Sequence, residues 1–121
     1  GMPTADAHLG LAACLTTERR QTEALRVLDQ AATVEPGNPV VLANQGLLRS
    51  DGGTPAAAIP FLERALALDP DLHQARFGLA IAFARTGDRA SAAREATELL
   101  SRLPPGAPQR PEVERLIGAL R

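Results

Sequence analysis

Two histidines, one cysteine and 14 acidic residues are the groups in this 121-residue chain best suited to ligate a metal, carry a proton or attack a carbonyl. A metal site needs three or four such groups at ligand spacing, and nucleophilic catalysis needs a base beside its Ser, Cys or Thr. His8 and His73 stand far apart, each without ligand-spaced Cys or carboxylate companions. His8 reads as a packing residue and His73 as a solvated residue at a helix start. Cys14 sits beside Leu11 and Leu15 and reads as a buried structural thiol. The hydroxyls fall in turns and at helix starts, where they bond backbone. Gly52-Gly53 has the look of a turn and lacks the lysine of a phosphate loop. The carboxylates scatter over predicted helix surfaces. The expectation is therefore a protein that is not an enzyme, with no cofactor and no metal.

Composition narrows the partners. The net charge is −1, so no global field gathers nucleic acid or an anionic surface. There is no Tyr or Trp to stack bases, and arginines alternate with acids. Neither nucleic-acid binding nor membrane insertion is expected, since no stretch approaches the roughly 20 apolar residues that span a bilayer. All 13 basic residues are arginine, which reads as coding bias of a bacterial kind. A single cysteine excludes an internal disulfide. Gly1 before Met2 resembles a tag remnant, and no secretory signal pattern follows. The compartment stays unknown, the cytoplasm slightly favoured and the periplasm open if the chain is a fragment.

The elements repeat. Pro36, Pro70 and Pro104 stand 34 residues apart, and the same shift superposes Ala24, Ala58 and Ala92. It also aligns the small residues Ala12, Gly46 and Ala80, and the turn glycines Gly53 and Gly87. A fixed period of this length means stacked units, each a supersecondary pair that cannot bury its apolar face alone. Ala24, Leu25, Leu28, Ala31 and Ala32 recur at helical spacing, as do Ala58, Ile59, Leu62, Ala65 and Leu66. Asn38-Pro39 and Thr54-Pro55 each set a capping side chain before a first-turn proline, and Asp71 and Asp88 are candidate caps for the next helices. The periodic prolines end each second helix. Where Ala12, Gly46 and Ala80 fall, paired helices must approach closely.

These residues carry a resemblance. The first half of each unit reads His8, Leu11, Ala12, Leu15, then Leu42, Gln45, Gly46, Arg49, then Arg76, Leu79, Ala80, Phe83. The second half reads Ala24, Leu28, Pro36, then Ala58, Leu62, Pro70, then Ala92, Ala96, Pro104. The chain thereby resembles the tetratricopeptide repeat, W-x2-L-G-x2-Y followed by A-x3-F and P. The fold class implied is all-α, a right-handed solenoid of three helix pairs plus a C-terminal capping helix. Residues 1–4 are lead-in, 5–38, 39–72 and 73–106 the repeats, and 107–121 the cap, with Val113, Leu116, Ile117 and Leu120 covering the last repeat. Three departures stand out. Gln45 and Arg49 make a polar stripe, with Asp51 or Glu63 as candidate acidic partners. The first turn has Arg19-Arg20 in place of glycine. Pro60 falls early in a helix and should bend its first turn.

The resemblance also implies a function. In this family the first helix of each pair lines a concave surface, which maps here to Leu9, Ala13 and Thr16, then Val40, Ala43, Asn44, Leu47 and Asp51, then Gln74, Phe77, Gly78, Ile81 and Arg85. That lining is mostly apolar. Some relatives grip a chaperone's C-terminal carboxylate with a Lys, Asn and Arg clamp. Matched position by position, the residues here are Leu9, Ala13, Asn44, Gln74 and Gly78, of which only Asn44 fits, so such tails are disfavoured. The expected partner is a peptide or helix of another protein anchored on Leu47 and Phe77. The alternative is a homodimer in which a second copy of the chain fills the groove, and the plainest reading is that Leu47, Phe77 and Ile81 pack within the solenoid.

Overall fold

A computed structural model of the protein describes residues 5–121, and the lead-in read at 1–4 lies outside them. Among the described residues the helices are α1 (Ala5–Thr17), α2 (Gln21–Val34), α3 (Pro39–Asp51), α4 (Pro55–Leu68), α5 (His73–Arg85), α6 (Arg89–Arg102) and α7 (Arg110–Ala119). They form a right-handed solenoid in which α1/α2, α3/α4 and α5/α6 are antiparallel pairs and α7 packs on α6.

The periodic small residues are the contact points. Ala24, Ala58 and Ala92 are fully buried, and so are Leu28, Leu62 and Ala96 one turn further on. Gly46 shows why size matters: a Cβ there would lie 2.7 Å from Leu62 Cγ and 3.2 Å from the Ala58 carbonyl. Leu42, Ala43, Ala58, Leu62, Ala65, Ala75 and Leu79 make the central core, and smaller clusters lie beneath each end. At the C-terminal end Val113 is buried with Leu99 and Leu103, Leu116 and Ile117 pack beside it, and Leu120 is half-buried. The apolar face of α7 does cover the last repeat.

Two of the four candidate caps act as such. Asn38 Oδ1 accepts from the Val40 and Val41 N–H groups, and Asp88 accepts from the Ser91 N–H. Bonding to Ser91, side chain and backbone, holds the Asp88 carboxyl below its ordinary pKa. Thr54 instead donates its hydroxyl to the Arg49 carbonyl, and Asp71 pairs with Arg102 at 3.0 Å. Their side chains were claimed by neighbours that propensity does not register. α4 runs unbroken through Pro60 to Leu68, and both Pro60 and Ala56 are exposed, so water can replace the missing donor.

The first turn keeps the geometry of the others without their glycine. The Arg20, Thr54 and Asp88 N–H groups donate to the carbonyls of Leu15, Arg49 and Phe83, five residues back in each case, as in a Schellman closure. The residue before each is left-handed: Arg19 at φ 61°, Gly53 at 95° and Gly87 at 88°. A side chain at that conformation meets its own carbonyl. Arg19→Gly is therefore expected to stabilise the protein by about 0.5–1 kcal/mol, a gain that thermal denaturation reads as a higher midpoint.

Candidate functional site: an apolar trough on the first helices

α1, α3 and α5 lie side by side, and helical spacing sends Leu9, Ala13 and Thr16 to one face of α1 and Asn44, Leu47 and Asp51 to the same face of α3. These six residues and Gln74 of α5 surround one cavity of about 300 Å3, floored by Ala12, Leu28 and Leu48. Leu47 leans across onto α5, where Gly78 makes room: a Cβ on Gly78 would come within 2.3 Å of Leu47 Cδ2. The Asn44 side-chain amide donates to the Val40 carbonyl at 2.8 Å.

A second cavity of about 230 Å3 follows, lined by His73, Gln74, Phe77, Leu99, Gln109, Glu112 and Val113. Gln74 borders both cavities. Sequence reasoning assigned α7 only the work of a cap and missed Gln109 and Glu112 as a wall. The proline-rich connector ahead of α7 carries no periodic signal for where that wall stands. His73 is half-buried in this cavity, not solvated as its place at a helix start suggested.

Five groove candidates lie outside both cavities, among them Gly78, buried beneath Leu47. Val40 is exposed, Ile81 is half-buried, and Ala43 is only 1% exposed within the central core. Arg85 donates to Ser50 Oγ at 2.8 Å and approaches Asp51 at 3.3 Å, tying the C-terminal ends of α3 and α5 together. The polar stripe also differs from expectation. Gln45 is buried and donates to Asp29 of α2 at 2.9 Å, while Arg49 stacks 4.2 Å from the Phe61 ring centroid. Asp29, and neither Asp51 nor Glu63, is the acidic neighbour. Cys14, expected inside, is exposed. Among the described residues no three of His, Cys, Asp and Glu gather as metal ligands would, and no helix is long and apolar enough to cross a membrane.

A family model described as tetratricopeptide repeat matches residues 51–120, more than half of the chain. The chain belongs to the tetratricopeptide repeat family. No curated protein sequence matches it. Among solved structures it is similar to the Sgt2 tetratricopeptide domain of Aspergillus fumigatus, with a TM-score of 0.88 at 20% identity, covering 98% of this chain and 78% of that one. It is also similar to the Yersinia enterocolitica type III secretion chaperone SycD in complex with a peptide of the translocator YopD, at TM-score 0.87 and 14% identity over 95% of this chain and 90% of that one. A third is the first tetratricopeptide domain of Spaghetti (RPAP3) bound to an HSP90 peptide, at TM-score 0.85 and 18% identity over 97% and 93%. At these identities the likeness establishes the repeat fold.

Proposed function

We propose that the protein is a non-catalytic interaction module that holds a peptide or helix of a partner protein in the trough of α1, α3 and α5. The carrying observation is that Leu9, Ala13, Thr16, Asn44, Leu47, Asp51 and Gln74 converge on one open cavity, and that Gln74 also borders a second one lined by Phe77 and α7. Two neighbours of the same fold are described with bound peptides, SycD with one from YopD and Spaghetti with one from HSP90, which supports the class of ligand. The lining here argues against an acidic chaperone tail, since the positions matching the carboxylate clamp carry Leu9, Ala13, Asn44, Gln74 and Gly78. Affinity would come from apolar burial at roughly 25 cal/mol per Å2, offset by the cost of ordering the ligand. Repeat units at 5–38, 39–72 and 73–106, with a cap at 107–121, are the organisation that serves this reading.

Selection from a random displayed-peptide library provides a ligand, and fluorescence anisotropy then compares wild type with Leu47→Glu/Phe77→Glu. The expected result is binding weakened at least about tenfold in a variant whose circular dichroism is unchanged. Equal binding by a folded variant would place recognition elsewhere, and an unfolded variant would show that the two side chains serve packing.

A further inference from the structure

Across the trough the second and third helix pairs are locked together, and the first two lack that lock. Leu47 of α3 reaches α5 and settles over Gly78, where a Cβ would stand 2.3 Å from its Cδ2. At the C-terminal ends of the same helices Arg85 donates to Ser50 and pairs with Asp51. One period earlier the first of these contacts reads Ala13 with Asn44, a methyl where Leu47 has a branched side chain. The second reads Thr16 and Thr17 with Asp51. Both hydroxyls donate instead to carbonyls of their own helix, Ala12 at 2.8 Å and Ala13 at 3.0 Å. Where the leucine is missing lies the cavity of about 300 Å3 that Ala13 and Asn44 both border.

We propose that this cavity is a subsite for one branched aliphatic side chain of the bound peptide, in the place that Leu47 takes one repeat later. The subsite rests on the peptide-binding reading of the trough and adds to it what the partner must carry. The walls decide the chemistry. Leu9, Leu28, Leu47 and Leu48 supply apolar surface, and the polar side chains among them are engaged elsewhere. The Thr16 hydroxyl is bonded to Ala12, the Asn44 amide donates to the Val40 carbonyl, and Asp51 is held by Arg85. Gln74, the remaining polar residue, is exposed. A polar side chain entering here gives up water with few groups inside to replace it, whereas an aliphatic one gains by burial. The next junction supplies the shape, since the equivalent space between α3 and α5 holds a leucine. A side chain in the cavity also touches α1 and α3 together, so the ligand latches the first helix pair onto the second.

A subsite of this kind is testable without a peptide. N-acetyl-leucinamide is titrated into the isotope-labelled full chain while nuclear magnetic resonance follows the backbone amides, with N-acetyl-asparaginamide as a polar control of nearly the same shape. The leucine probe is expected to bind on the order of 10 mM, as so small a ligand does, and to shift amides around Ala13 and Asn44. The asparagine probe is expected to bind at least about tenfold more weakly. Ala13→Leu/Asn44→Gly copies the lock of the next pair, and is expected to melt at a higher temperature than wild type and to lose the response to leucine. Equal binding of the two probes, no shift on α1 and α3 at about 50 mM, or an undiminished response in the folded variant each overturns the proposal. If the variant does not fold, the two probes on wild type still decide. The peptide reading is tested apart from this: a selected peptide that binds wild type and not folded Leu47→Glu/Phe77→Glu upholds the trough even where the leucine probe fails.

Discussion

Leu62→Ala is expected to cost about 3–4 kcal/mol, at the upper end for removing a buried leucine. Leu62 is fully buried in the central core, and its side chain fills the space beside Gly46 and Gly78, glycines of two different helix pairs. The cavity it leaves would border α3, α4 and α5 together, and rigid neighbouring helices collapse poorly. Gly46 supplies the second half of the test. Gly46→Ala gains about 1 kcal/mol of helix propensity but forces a methyl to 2.7 Å from Leu62 Cγ, so a net loss of about 1–2 kcal/mol is expected. With Leu62 truncated, the closest obstacle is gone and the Ala58 carbonyl at 3.2 Å is the tightest remaining. Gly46→Ala should then be close to neutral. Urea denaturation of the four proteins in the cycle reads the coupling. Additivity within about 0.5 kcal/mol would mean that the glycine is not there to admit the leucine.

That pairing also marks what the sequence makes legible. Period and close-approach positions recur at a fixed offset, so Gly46 as a point of close approach follows from superposing the chain on itself. Contacts set by a neighbour's roll do not follow. The resemblance places Ala43 on the concave surface, but it is buried in the central core, and Leu47 borders the trough while leaning on Gly78. Gln45 and Asp29 lie on different repeats, so neither announces the other. Leu11 and Cys14 look like core residues because their register is a core register, and their exposure depends on whether anything stacks before α1. The left-handed turn at Arg19 was hidden for the opposite reason, since the sequence drops the glycine while the hydrogen bonds keep the turn.

Superposing the repeats exposes one further substitution, and it carries the second large expected effect. In the second repeat Leu42 and Phe61 belong to one apolar cluster across α3 and α4. One period later the same positions are Arg76 and Glu95, an ion pair at 2.9 Å with side chains only 11% and 17% exposed. Arg76 also donates to the Pro70 carbonyl at 3.1 Å, while its Nε is buried without a partner. Removing two charges from water costs several kcal/mol each, and their attraction repays this only while both are present. Glu95→Ala is therefore expected to cost about 3 kcal/mol, because it strands the guanidinium between α5 and α6. Arg76→Leu/Glu95→Phe copies the second repeat's solution and is expected to be neutral or to gain about 1 kcal/mol, since it satisfies the site by packing and discards the orphaned Nε. Denaturation in low and high salt separates this from a surface effect: a shielded pair loses little to screening, so the cost of Glu95→Ala should persist at about 1 M salt. If the double variant is instead as unstable as Glu95→Ala, the arginine's bond to Pro70 is what holds the α4–α5 turn against the third repeat, and the ion pair exists to aim it.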